Sequence, residues 1–234
     1  MKSFRFALIQ VTPLLFSYLF VGLAAGLLLH AAGYGVLWAF FSALFVYAGS
    51  MQIVMVSLLA SGAPLPVVAA MAFFINARHM FYGIGFVDRF RAVGGWRYPY
   101  MALTMTDETY SVLCSVQYPP DVDGNKADFY IQLLCHLFWV FSCTTSALIG
   151  SLLPVDLSGI EFSATAFFVT VVVNQWRGCG SHIPAVTGFA SAAVFYFLIG
   201  PDNFILPALS ASLVALVFLR ERVAGEKKRG APHA

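Results

Sequence analysis

Residues 6–77 read FALIQVTPLLFSYLFVGLAAGLLLHAAGYGVLWAFFSALFVYAGSMQIVMVSLLASGAPLPVVAAMAFFINA, closed at one end by Arg5 and at the other by Arg78. The run holds 72 positions without Asp, Glu, Lys or Arg. A water-soluble domain has no interior large enough to hide it. A bilayer core about 30 Å thick takes helical segments of roughly 20 apolar residues, so the run holds about three of them.

The whole 234-residue chain follows suit, at 60% hydrophobic and 10% charged residues. Soluble domains carry about 25% charged residues. The apolar runs are continuous, without the alternating segments of about 10 residues that a membrane β-barrel needs. The expected fold is therefore all-α, a polytopic transmembrane bundle of about six to eight segments. These fall at 6–29, 36–60, 65–86, 98–118, 129–153, 162–174, 183–199 and 204–219. One transmembrane domain over 1–219 and a basic tail over 220–234 account for the chain. The first helix lacks a clear cleavage site and reads as retained. Net charge is only +2 and the basic residues sit beside hydrophobic segments, a topology signal rather than a nucleic-acid surface.

Basic clusters predict orientation. Lys2 and Arg5, then Arg89, Arg91 and Arg97, then Arg220, Arg222, Lys227, Lys228 and Arg229 all belong on the cytoplasmic side. The loop bearing Asp121, Asp123 and Asp128 belongs outside. Plain crossings cannot satisfy this, because three full spans would carry the Arg89–Arg97 loop to the wrong side. One re-entrant segment in each half repairs the parity. Segment 36–60, interrupted at Gly49-Ser50, is the first candidate; segment 162–174, about 20 Å long as a helix, is the second. Entry from opposite sides is the pattern of an inverted repeat. Eight plain segments remain the alternative, since the orientation rule has exceptions.

Three charged side chains lie deep: Arg78, Asp107 and Glu108. Arg78 precedes Asp88 by ten positions and Asp107 follows Arg97 by ten, so both sit about 15 Å from the loop between them. Equal depth lets them pair. Thr104, Asp107, Glu108 and Ser111 have the spacing of one helix face, as do Asn76 and His79. Intramembrane charges mark function by default, with a structural ion pair as the competing reading. Gln52, next to Ser50, is either an interhelical hydrogen bond or a substrate contact. Glu161 and Gln175 bracket segment 162–174 as interfacial ends or as a second-half site. Gly22 and Gly26 read as a helix-packing face. His136 and Trp139 read as core. The four cysteines lack metal-ligand spacing, and no catalytic or nucleotide-binding motif occurs. No enzyme, metal or cofactor is expected.

Asn76-Ala77-Arg78-His79 followed by Thr106-Asp107-Glu108 resembles the AzlC family, the large subunits of branched-chain amino-acid exporters. Tyr47-Ala48-Gly49-Ser50-Met51-Gln52, Trp139 and the stretch Gly159 to Val169 carry the same resemblance, which covers about Leu14 to Leu219. Glu161 departs from the family pattern, where Asp is expected. The resemblance implies export of valine, leucine, isoleucine and methionine-like amino acids across the bacterial inner membrane, with a small AzlD-type membrane subunit as partner. In such a protein Arg78, or a broken-helix N-terminus near Ser50, would meet the substrate carboxylate. Asp107 or Glu108 would meet the ammonium, Phe73 and Phe74 the apolar side chain. Glu108 or His79 would titrate if export is proton-coupled.

Overall fold

The computed structural model describes residues 2–152, 161–178, 181–200 and 204–229; the side chains of Glu161, Ser163, Ala164, Phe167, Phe168, Val171, Asn174, Gln175 and 224–229 fall outside that description. The described residues are helical, without strands: α1 (Lys2–Ala31), α2 (Val36–Phe45), α3 (Gly49–Ala60), α4 (Leu65–Arg91), α5 (Arg97–Leu103), α6 (Asp107–Ser115), α7 (Gly124–Leu152), α8 (Glu161–Gly178), α9 (Ile183–Ile199) and α10 (Ile205–Arg229). The chain is a polytopic transmembrane helical protein. Helices α1, α4 and α7 are long and apolar enough to cross a membrane. At 1.5 Å per residue each exceeds about 40 Å, more than the hydrocarbon core requires.

Two compact units divide the chain, one of residues 1–63 and 75–164, the other of 64–74 and 165–234. In the second, α9 packs against α10 and ends at Gly200 (φ 93°), with Tyr196 edge-on to Phe204 at 5.4 Å. The apolar run 162–174 extends at both ends into the 18-residue α8. Helix α8 is not among the described helices long and apolar enough to cross a membrane.

The first unit is built on α1 against α7. Gly22 and Gly26 line the contact, as the packing reading requires. Ser142 Oγ donates to the Tyr18 and Leu19 carbonyls (3.0 and 3.1 Å) and Ser146 Oγ to the Gly22 carbonyl (3.0 Å). Small residues let the two backbones close to hydrogen-bonding range.

Segment 36–60 is broken at Val46-Tyr47-Ala48, just before the Gly49-Ser50 interruption read from the sequence. It also folds back on itself. Ser42 of α2 meets Gln52 of α3 across the break, and Val56 returns to pack with Val36, Ala39, Leu29 and Ala147. These pairs are symmetric about Tyr47, so α2 and α3 form a re-entrant hairpin entering from the end where α1 finishes.

Segment 98–118 is not one helix. It breaks at Thr104-Met105-Thr106, because Thr106 caps α6: its Oγ1 accepts from Thr109 N at 3.4 Å, while Thr106 N donates to Thr109 Oγ1 at 2.8 Å. A capping box starts a new helix. Thr104 therefore leaves the predicted face shared with Asp107, Glu108 and Ser111, and binds the Gln132 amide at 3.1 Å. Arm α5 goes in beside α7, with Trp96 and Tyr100 against Phe129. Arm α6 comes out along α4: Asp107 at Arg78, Tyr110 at Phe86, the Leu113 carbonyl at Arg89. A second re-entrant element is thus α5–α6, in a segment read from sequence as a full span. It enters from the end opposite to α2–α3, as an inverted repeat demands.

The acidic loop is also corrected. Lys2 Nζ lies 3.0 Å from Asp121, Phe4 is edge-on to Tyr130, and Asn125 Nδ2 donates to the Ala92 carbonyl. The N-terminus, the 92–96 loop and the 116–123 loop share one end of the unit. The parity count went wrong because 98–118 returns to the side it left. Cysteines at Lys2 and Asp121, in a background without native cysteines, are expected to be joined by a thiol cross-linker of about 10 Å span. Failure to cross-link in the folded protein would restore the external loop.

Candidate functional site

The two hairpins bring four helix ends to the middle of the first unit: the C-termini of α2 and α5, and the N-termini of α3 and α6. The sequence at each tip sets the local geometry. Tyr47 has a positive φ of 39°, the one non-glycine among the described residues to do so. Gly49 opens α3 where a Cβ would come within 3.1 Å of the Trp139 ring. Trp139 Nε1 donates to Gln52 Oε1 at 2.7 Å, and Gln52 Nε2 donates to Ser42 Oγ at 3.2 Å. Both polar atoms of the buried Gln52 amide are occupied within the protein. Gln52 holds the first hairpin closed, which favours the interhelical reading over substrate contact.

Asp107 and Glu108 occupy the first turn of α6, where the helix dipole favours carboxylates. Glu108 Oε2 accepts from Tyr18 OH at 3.3 Å, and the same hydroxyl lies 3.2 Å from Thr106 Oγ1. Asp107 Oδ2 is 2.8 Å from Arg78 Nη2, the predicted pair. The same nitrogen donates to Ser50 Oγ at 3.2 Å. One guanidinium thus ties the N-terminus of α3 to that of α6. His79 Nε2 stands 3.8 Å from Asp107 Oδ1. Tyr82 lies beside His79 and stacks on Tyr110 at 4.4 Å, forming an aromatic wall.

Among the described residues, the buried side-chain polar atoms without a hydrogen-bond partner are Asn76 Oδ1, Arg78 Nε, Asp107 Oδ1 and Tyr47 OH. Two, Arg78 Nε and Asp107 Oδ1, belong to this one cluster, and Asn76 precedes His79 by three positions, on the same helix face. Buried polar atoms are nearly always paired, and each orphan costs about 1–3 kcal/mol. The first turn of α3 likewise carries no acidic residue, and its N-cap Ala48 supplies no side-chain cap. The centre therefore offers a guanidinium donor, uncapped backbone donors and two oxygen acceptors, all within reach of an aromatic wall.

The structure brings Arg78, Asp107, His79 and Ser50 together, with Glu108 beside Asp107 at the start of α6 and Asn76 one turn before His79 on α4. Glu161 and Gln175 fall at the first position and in the last turn of α8, with side chains outside the described residues. Phe73 and Phe74 belong to the second unit.

A second charged cluster was missed. Arg89 Nε and Nη2 grip both oxygens of the buried Asp128 at 2.6 and 2.7 Å, and Nη1 donates to the Leu113 carbonyl at 2.7 Å. Tyr118 OH bridges Arg89 and Asp128, and its burial pushes its pKa up. Sequence reasoning took Arg89 and Asp128 for loop charges of opposite sides. The signal was their place beside helix ends that meet only once α5–α6 turns back.

A family model described as AzlC protein matches residues 13–153. The chain is 32% identical to the branched-chain amino acid transport protein AzlC of Bacillus subtilis, over 94% of this chain and 86% of that one. It is 35% identical to an uncharacterized membrane protein of Helicobacter pylori strain J99, over 95% and 97% of the two chains. An uncharacterized membrane protein of Haemophilus influenzae is 33% identical over 84% and 81%. No solved structure matches the chain. The matched stretch contains both re-entrant hairpins and the cluster between their tips, and on these grounds the chain belongs to the AzlC family.

Proposed function

We propose that this chain is the larger subunit of a secondary transporter that exports valine, leucine, isoleucine and methionine-like amino acids from the bacterial cytoplasm. It works across the inner membrane, coupled to protons, together with a small AzlD-type membrane subunit. The observation that carries the reading is the set of orphan polar atoms around Arg78 and Asp107. An amino-acid zwitterion satisfies them in one step. Its carboxylate accepts from Arg78 and from the uncapped amides of α3. Its ammonium donates to Asp107 Oδ1 and Asn76 Oδ1. Its apolar side chain lies on Tyr82 and Tyr110. The Bacillus subtilis relative, named as a branched-chain amino acid transport protein, supports the substrate class. Both termini are cytoplasmic in this reading, since Lys2, Arg5, Arg91 and Arg97 gather at the N-terminal end of the first unit.

The test is efflux from cells loaded with a valine-containing dipeptide, with and without this chain and its small partner. Faster valine, leucine, isoleucine and methionine efflux is expected with both chains present. Equal efflux in both cells would refute the reading. A carrier also shows substrate-stimulated counterflow, and its absence alongside efflux would make the protein a channel.

A further inference from the structure

Arg78 joins the outgoing arms of the two hairpins. A second side chain, His136 of α7, joins the ingoing arms. Its Nε2 lies 3.1 Å from the Leu44 carbonyl, in the last turn of α2. Its Nδ1 lies 3.0 Å from Tyr100 OH, on α5. Its ring packs against Tyr47, at the tip of the first hairpin, with centroids 4.3 Å apart. The Tyr47 hydroxyl is buried and without a partner.

The two ring contacts differ in kind. A carbonyl only accepts, so Nε2 carries the hydrogen in every charge state. A phenol both donates and accepts. In neutral His136, Nδ1 accepts from the Tyr100 O–H. When a proton adds to Nδ1, that nitrogen becomes a donor and the phenol oxygen must accept. The hydroxyl hydrogen of Tyr100 then has to swing to another acceptor, and α5 feels the change. The contact to α2 is strengthened at the same time, because a helix C-terminus favours a cation. One proton at this site loosens one hairpin and tightens the other.

The titratable groups facing His136 are Tyr100 from α5, Tyr47 from the α2–α3 turn and Cys135 beside it on α7. Among the described residues no carboxylate or basic side chain forms an ion pair with it. His79, by contrast, stands against Asp107 and Arg78. A substrate ammonium and carboxylate would compete for that charge pair, so His79 cannot report proton binding separately from substrate. His136 can, because from α7 it contacts the opposite arms of the same hairpins.

We infer that His136 is the proton-coupling residue: it takes up one proton at Nδ1 and transmits its charge state to both re-entrant hairpins. This rests on the transporter reading above and names its coupling group. It is a positioning residue, not a substrate contact.

The test uses the complex with its small subunit in liposomes. In the wild type, a pH gradient should drive valine uphill, and valine should also exchange by counterflow. His136→Gln is expected to lose gradient-driven accumulation by at least about tenfold while counterflow stays within about threefold. Gradient-driven accumulation equal to wild type would overturn the inference. Tyr100→Phe, which keeps the ring and removes only the hydroxyl, is expected to shift the pH midpoint of driven transport. If His136→Gln does not fold, an unshifted profile in Tyr100→Phe overturns it instead. A readout free of transport separates the two hypotheses. Trp139 lies about one turn along α7 from His136, so its fluorescence in a single-tryptophan variant should show a step on acidification. That step should vanish in His136→Gln. A step present in both proteins or in neither sinks the coupling role; a step that His136 alone supplies, without any valine exchange, sinks only the substrate reading.

Discussion

Replacing Gly26 with alanine is expected to abolish the folded protein, and no change at the facing serine should restore it. A Cβ at Gly26 would stand 1.9 Å from Ser146 Oγ and 2.3 Å from the Cys143 carbonyl oxygen. The serine can be trimmed, but the carbonyl is helix backbone and can only be relieved by moving α1 away from α7. That movement also breaks the hydrogen bonds from Ser142 and Ser146 to the α1 carbonyls. Overpacking alone costs about 1–3 kcal/mol, and each carbonyl bond lost adds about 1 kcal/mol. Together these approach the whole stability of a typical domain. Gly22 makes the contrast. There an added Cβ meets Ser142 Oγ at 2.4 Å and Cβ at 2.7 Å, while the nearest backbone atom is 3.4 Å away. Gly22→Ala should therefore fail alone and recover partly when combined with Ser142→Gly. Gly26→Ala combined with Ser146→Gly should not recover. Size-exclusion profiles of fluorescently tagged protein in mild detergent would measure both. Equal recovery of the two pairs would mean that the α1–α7 contact is less tight than described.

Much of this fold could be read from the sequence for one reason: exclusion of charge from a bilayer is a strong and long-range rule. It gave the spans, the depth of Arg78 and Asp107, and the parity conflict that requires re-entrant segments. The break in 36–60 was visible because Gly49-Ser50 is a compositional interruption. The break in 98–118 was not, because Thr104 to Thr109 keeps a helical spacing of polar residues. The capping pair Thr106 and Thr109 was the available signal, and it competes with that periodicity. Missing it made 98–118 a full span and placed the acidic loop on the wrong side. The Arg89–Asp128 contact was lost with it, since those residues meet only if α6 returns along α4. His136 was read as a core hydrogen-bonder, which fits its two contacts. What no one-dimensional pattern could show is that those contacts fall on two different hairpins.

The two bridges also make the architecture economical in its moving parts. Arms α3 and α6 meet at Arg78; arms α2 and α5 meet at His136. The Arg89–Asp128–Tyr118 contact ties α4 to α7 and to the end of α6. Each hairpin is held by both bridges, one on each arm, while the long helices are joined elsewhere. Two discrete arrangements of packed elements, each biased by a local charge, are what coupling between sites requires.

Exchanging the charges of the central pair, as Arg78→Asp with Asp107→Arg, is expected to return the folded protein but not its transport. Each single change, Arg78→Ala or Asp107→Ala, leaves a charge unpaired. Breaking a fully buried pair costs about 3–5 kcal/mol. These side chains are 33% and 39% exposed, so solvent reduces the cost to about 1–2 kcal/mol. In a chain of this size that lowers the melting temperature by about 2–8 °C. Transport should suffer far more. Removing one partner from a charge-assisted contact to substrate costs about 2–4 kcal/mol of binding, or about 30- to 1000-fold. The swapped pair restores attraction between α4 and α6, and with it the lost stability. It also sets an arginine at the positive end of α6 and an aspartate where α3 offers uncapped donors to a carboxylate. The first placement is unfavourable by about 0.3–1 kcal/mol, and the second occupies the substrate's own site. A purely structural ion pair makes the opposite prediction, since the swap would then rescue melting temperature and valine counterflow together. Counterflow in the swapped protein within about threefold of wild type would therefore remove Arg78 and Asp107 from the transport path.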